Sequence, residues 1–221
     1  IPPAKMSVKK MFNKYGKKET KKFFQNTIEG SNFTKNTITE YKIDCDLTGD
    51  SNYEVAPHPN YFAAIKEEAE TYKKEFGIET KVFSKEEFNE IGHGGNEQFG
   101  AMSYKPGFAI NPLKFLLGLA NAANNAGVKI FQKSKVDKIE KSKGKFTIIS
   151  NNTIIKANKI VMATNGFYKD DIFPKLNNMI LPVISNIIIT RPLTTEEIQS
   201  HNFVTNNCLL YTSPSPRDVL R

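Results

Sequence analysis

Tryptophan is absent, and cysteine, histidine and arginine are scarce: two, three and three residues in a chain of 221. Two cysteines, Cys45 and Cys208, make neither a disulfide framework nor a metal-ligand spacing. A reducing, cytoplasmic setting is the expectation. No apolar run approaches the roughly 18 residues of a membrane span. No charged-then-apolar signal opens the chain. The first residue is Ile1 rather than Met, so a piece of a longer chain is expected. The net charge of +8 rests on lysine spread along the whole length. The only arginines are Arg191, Arg217 and Arg221. Recognition of phosphates and bases favours clustered arginine, so nucleic acid is not an expected partner. One dense basic block, residues 5–22, reads as a solvated helix face. Paired carboxylates, a Ser/His/Asp set and a metal cluster are all missing from the pattern. Hydrolysis and a metal site therefore have no support, and the catalytic residues stay unassigned.

What is present is a series of local start and stop signals. Phe23, Phe24, Thr27, Ile28, Ile38 and Tyr41 predict a helix over 18–42. Tyr61, Ile65, Ala69, Tyr72 and Phe76 predict a second over 59–76, stopped by Gly77. Ser84 and Glu87 form a capping box before Phe88 and Ile91. His93, Gly94 and Gly95 read as a turn with an exposed histidine, or else a catalytic loop. A strand is expected within 96–104. Asn111 and Pro112 start a helix as N-cap and first helical residue. Its apolar face is Leu113, Leu116, Leu117, Ala120 and Ala123, and Gly118 allows close packing on a sheet. Residues 128–131 then read as a buried parallel strand, because a helix precedes them. Val136 opens a β-meander that turns at Lys143 and Gly144 and again at Asn151 and Asn152. Residues 160–163 read as a second parallel strand. The β-branched run 182–190 reads as a strand of a separate sheet. Thr194 and Glu197 form another capping box. Cys45 reads as structural, since Asp44 and Asp46 would raise its pKa. Residues 209–221 hold two of the three arginines and a Ser-Pro-Ser-Pro run. They read as a non-native tail, discounted from about Tyr211 onward. A true Pro/Ser terminus is the alternative.

The functional information is densest at residues 159–168, Lys-Ile-Val-Met-Ala-Thr-Asn-Gly-Phe-Tyr. An apolar run enters a turn of small residues, as a backbone needs where it approaches a ligand. In open α/β sheets, ligands bind outside the carboxyl ends of the strands. A plain structural turn fits the same pattern. The order of the Pro112 helix, the following apolar strand, the Val136 meander and the Ala-Thr-Asn-Gly-aromatic end adds context. It resembles the middle of FAD-dependent amine and amino-acid oxidoreductases of the D-amino-acid oxidase superfamily, such as glycine and sarcosine oxidases. It is most similar to the γ-glutamylputrescine oxidoreductase-like branch, where a helix leading into Ile43-Asp44-Cys45-Asp46 is also expected. The similarity runs from about residue 8 to residue 193.

The resemblance implies an α/β fold with an α+β substrate domain. Residues 1–105 would be helical and linking segments, mostly of the substrate domain. Residues 106–178 would form part of a Rossmann-like FAD-binding domain with its β-meander. Residues 179–208 would add a strand and helix to an antiparallel-sheet substrate domain, and 209–221 the tail. The resemblance places the backbone of Val136 against the adenine of FAD, although Val136 reads equally as a plain strand residue. It places Thr164, Asn165 and Gly166 near the ADP part. A pyrophosphate-binding Gly-x-Gly-x-x-Gly occurs nowhere in the chain, and in such enzymes that unit lies upstream. The implied chemistry is hydride transfer from an amine-bearing carbon to the flavin. Water then hydrolyses the imine, and oxygen or another acceptor takes the electrons. Two other readings stay open. One is a basic binding module without catalysis. The other is a flavin enzyme for another substrate, such as glycerol phosphate or RNA.

Overall fold

Helix α1 (Val8–Glu40) begins well before residue 18 in the computed structural model, which describes residues 6–167, 172–179, 191–205 and 207–211. Gly16 breaks its geometry with φ 78° and ψ 160°, a conformation open to glycine. Gly30 and Ser31 remain helical. Only Val8, Met11, Thr20, Phe24 and Ile38 of α1 are buried. The long helix is therefore held by a narrow stripe, and most of its lysines are solvated. Lys17 and Lys21 both pair with Glu75 of α2 (Pro59–Phe76), each at 3.1 Å. Gly77 ends α2 in the left-handed region, as its position predicts. Phe24 stacks on Phe76 at 4.0 Å between ring centroids and meets Tyr72 edge-on.

Four short strands make the first sheet, in the order β2 (Thr80–Phe83), β3 (Ala101–Tyr104), β1 (Asn52–Val55), β7 (Cys208–Tyr211). β3 is antiparallel to both neighbours, and β7 is parallel to β1. The expected strand within 96–104 is β3. Side chains alternate across the sheet. Met102 and Tyr104 face α1 and α2, in a core with Val8, Met11, Phe24, Ile65, Ala69 and Tyr72. Tyr53, Val55, Phe83 and Ala101 face Phe88 of α3 (Lys85–Ile91), with Leu209 alongside. The α3 capping box is present in both directions: Ser84 accepts from the Glu87 N–H, and Glu87 accepts from the Ser84 N–H. Leu209 packs in the core, and residues 209–211 pair with β1. Residues 212–221 lie outside the described residues.

α4 (Pro112–Asn125) starts at Asn111, whose side chain accepts from the Lys114 N–H. Its buried face differs from the expected one. Phe115 and Leu119 pack on Ile38, Ile43 and Cys45, while Leu113, Leu116 and Leu117 are exposed. Gly118 lies against Ile43 so closely that a Cβ there would fall 2.2 Å from Cγ2. Small size at this position serves helix-to-loop packing, not helix-to-sheet packing. α5 (Thr195–Ser200) has its capping box, and the residues after it dock on α3. The Asn202 amide donates to the Asn89 carbonyl at 2.7 Å, and the Val204 N–H donates to the Gly92 carbonyl at 3.0 Å.

The chain divides into two compact units, residues 1–127 with 192–221 and residues 128–191. The boundary falls after α4. The second unit is the expected meander: β4 (Val136–Ser142), β5 (Lys145–Ser150) and β6 (Thr153–Ala157), antiparallel throughout. Both connections are two-residue loops with positive φ at each residue: Lys143 with Gly144, and Asn151 with Asn152. That is the twist-matched hairpin geometry that asparagine and glycine tolerate.

Residues 128–131 and 160–163 do not form the parallel strands their apolar character predicts. Val128, Ile130, Phe131 and Val161 are exposed, Val161 by 89%. A strand exists only as one side of a ladder, and no described residue pairs with either segment. The run 182–190 lies outside the described residues.

Candidate functional site

The residues assigned from the sequence all lie in the second unit. Val136 is the first residue of β4, half-buried and paired with Ser150, next to a bulge before Lys138. Asp137 accepts from the Asn151 N–H at 3.1 Å and ties the start of β4 to the second hairpin loop. Thr164, Asn165 and Gly166 form a tight turn closed by the Phe167 N–H, which donates to the Thr164 carbonyl at 3.0 Å. Asn165 has φ 52°, a region where asparagine is one of the few side chains tolerated. Thr164 and Asn165 are exposed, and Phe167 is exposed by 91%. No hydrogen bond among the described residues joins Val136 to the turn.

This is an open edge of small side chains with its backbone accessible. It suits approach of a flat or phosphorylated group. A glycine-rich helix start for a pyrophosphate is not among the described residues, so the edge fits FAD only in part.

Other polar clusters lie in the first unit. Asp46 accepts from Lys114 at 2.6 Å and from the Asn111 amide at 3.2 Å. The Lys114 bond holds its carboxyl below the usual carboxylate range. Asn111 is therefore a helix cap tied to a salt bridge, as its residue type predicts. Burial pushes the Cys45 thiol up, with Asp44 and Asp46 adding to the effect. A thiol so disposed is a weak nucleophile. An open hollow of about 680 Å³ lies by α4, lined by Lys42, Asp44, Leu117, Asn121 and Asn125 among others. It contains none of the residues assigned from the sequence.

His93 is buried, not exposed. Its ring meets Phe88 edge-on and Phe203 at a tilt, and its Nδ1 accepts from the Gly95 N–H at 3.0 Å. The segment after α5 covers it, a contact between residues far apart in the chain. Burial lowers its pKa, and His201 lowers it further.

One buried acid had no signal in the sequence. Glu54 lies in the middle of β1, opposite Met102, on the face covered by α1 and α2. It is 5% exposed, and its Oε2 has no hydrogen-bond partner. Burial, with the charge of Glu68 on α2 adding to it, raises its pKa to about 7. Glu68 is itself raised by burial, and bonds with the Val8 backbone and Tyr72 hydroxyl partly offset that. Glu68 thus holds the first residue of α1, where Ser7 makes no side-chain cap.

The model of the FAD-dependent oxidoreductase (DAO) family matches residues 10–221, and the chain belongs to that family. The match extends past residue 193 and takes in the segment set apart above as a tail. A probable oxidoreductase OrdL of Haemophilus influenzae is 28% identical over 187 residues, covering 81% of this chain and 42% of the relative. The γ-glutamylputrescine oxidoreductase of Escherichia coli is 22% identical over 185 residues, covering 82% and 42%. The chain thus spans about two fifths of the length of these relatives. Among solved structures, glycine oxidase from Geobacillus kaustophilus superposes with a TM-score of 0.54 at 18% identity, covering 65% of this chain and 39% of that one. L-proline dehydrogenase from P. horikoshii gives 0.51 at 21% identity, covering 62% and 37%. These two likenesses define a shared fold. No helix among the described residues is long and apolar enough to cross a membrane.

Proposed function

We propose that this chain is part of an FAD-dependent oxidoreductase that oxidises the C–N bond of a small amine or amino acid. The observation that carries the reading is the family match, which includes the open Thr164, Asn165 and Gly166 turn. The substrate class is supported by the named activity of the γ-glutamylputrescine relative. Bound FAD supplies a two-electron acceptor. The chain's own contribution is positional. The turn offers backbone to the ADP part, and Val136 at the start of β4 borders the adenine. The first unit, with its sheet between α1 and α2 on one side and α3 on the other, belongs to the substrate side. A small amine or amino acid and oxygen or another electron acceptor are the partners of this reading.

The test uses the whole reading frame in which this sequence lies. The purified product should show a flavin absorbance band and release ammonia or an alkylamine from a panel of small amines and amino acids. Gly166→Leu should remove the band while circular dichroism stays unchanged, because a side chain there would intrude on the cofactor edge. A flavin-loaded protein that oxidises glycerol phosphate and no amine would refute the substrate class. Retention of flavin by a folded Gly166→Leu protein would refute the placement of the turn.

A further inference from the structure

We propose that Asn165 is a site of spontaneous covalent modification, in which the backbone nitrogen of Gly166 closes on the Asn165 side-chain amide and converts it to aspartyl and isoaspartyl residues. This does not depend on the flavin reading.

Four observations converge on one bond. Asn165 is the only asparagine in the chain followed by glycine. It is exposed, at the corner of a tight turn. Its neighbour Gly166 has no Cβ to crowd the approach of the nitrogen to Cγ. The Gly166 N–H donates to no described residue.

Four other asparagines provide an internal comparison. Asn151, Asn152, Asn178 and Asn202 share the positive φ of Asn165, at 45°, 65°, 60° and 48° against 52°. Each is followed by a residue with a side chain: Asn152, Thr153, Met179 and Phe203. Two are also held by their amides. The Asn151 amide donates to the Lys133 carbonyl at 3.0 Å, and the Asn202 amide donates to the Asn89 carbonyl at 2.7 Å. Backbone conformation is therefore shared, and the combination of a free amide with a following glycine belongs to Asn165.

The chemistry balances with water alone. Solvent base removes the Gly166 amide proton, and the nitrogen adds to Asn165 Cγ. The new N–C bond closes a five-membered imide ring, the Cγ–Nδ2 bond breaks, and Nδ2 leaves as ammonia with the returned proton. Water then opens the ring at either carbonyl. Opening at the backbone carbonyl gives isoaspartate, and opening at the side-chain carbonyl gives aspartate. The net change is one amide exchanged for one carboxylate, so the turn gains a negative charge and, in the isoaspartyl product, an extra backbone atom.

The test is to hold the purified 221-residue chain in mildly alkaline, heavy-oxygen water and follow its tryptic peptides by mass. The peptide 160–169 should accumulate an acid form carrying the heavy oxygen. It should do so many-fold faster than the peptides with Asn151, Asn152 and Asn202. Gly166→Ala should slow conversion many-fold with unchanged circular dichroism, since Gly166 is not one of the positive-φ glycines and tolerates a Cβ on backbone grounds. Conversion of Asn165 no faster than Asn152 would overturn the proposal. So would an unchanged rate in Gly166→Ala, which would point to direct attack by water.

Discussion

Replacing Glu54 by glutamine should stabilise the protein at neutral and alkaline pH. The carboxyl is 5% exposed, has an oxygen without a partner, and shares its desolvated pocket with Glu68. Its pKa rises from 4.5 to about 7 on folding. Below pH 4.5 both folded and unfolded chains carry the proton, and Glu54 contributes no pH dependence. Between pH 4.5 and about 7 the unfolded chain has lost a proton that the folded chain keeps, so stability falls as pH rises. Above that window the loss is complete. At 1.36 kcal/mol per pKa unit, it amounts to about 3 kcal/mol. Glutamine keeps the shape and cannot ionise. The difference in unfolding free energy between Glu54→Gln and the parent should therefore grow through this window and then level off. Urea unfolding at a series of pH values measures it, and the difference removes the contributions of other titrating groups. Glu68→Gln should lower the upper edge of the window, since it removes the neighbouring charge. A difference independent of pH, or one that shrinks as pH rises, would refute the reasoning.

His93 should contribute to the loss of stability of the first unit in acid. Its pKa is depressed below 6.5 by burial, so its contribution is fully present above pH 6.5 and is lost as pH falls through the folded value. Thermal unfolding of the parent and His93→Phe should diverge below pH 6.5, the parent losing more. Gly107→Ala should be strongly destabilising, by about 1–3 kcal/mol or more as for other overpacked cores. A Cβ there would lie 2.5 Å from the Ser51 carbonyl carbon and 2.6 Å from the Asn52 nitrogen, and backbone cannot step aside as a side chain can. Equal denaturation midpoints for Gly107→Ala and the parent would contradict this.

What could be read from the sequence was what is local. The caps at Ser84, Asn111 and Thr194, the stop at Gly77 and the hairpin at Asn151 and Asn152 each depend on a few adjacent residues. The structure shows them all. β1 and β7 were not legible. Asn-Tyr-Glu-Val alternates for only four residues and is buried on both faces, Cys-Leu-Leu-Tyr does not alternate, and both are strands because they pair with segments remote in sequence. The burial of Glu54 and His93 was hidden for the same reason. Each is covered by a segment remote in sequence. Residues 128–131 and 160–163 misled in the opposite direction, since an apolar run has strand character but no strand without a partner. The Thr164, Asn165 and Gly166 turn was visible because small residues at a corner are a local signal.

The first unit is discontinuous, with its beginning and end contributing adjacent strands and the meander intervening. During synthesis, β1 emerges long before β7. Its outer edge has no parallel neighbour until residues 208–211 have left the ribosome. The meander, by contrast, consists of sequential hairpins and can close as soon as it appears. The inserted unit can therefore be complete before the unit that encloses it in sequence. An unpaired edge in a nascent chain is a place where another chain can add. Late arrival of residues 208–211 leaves that edge of β1 open in the interval.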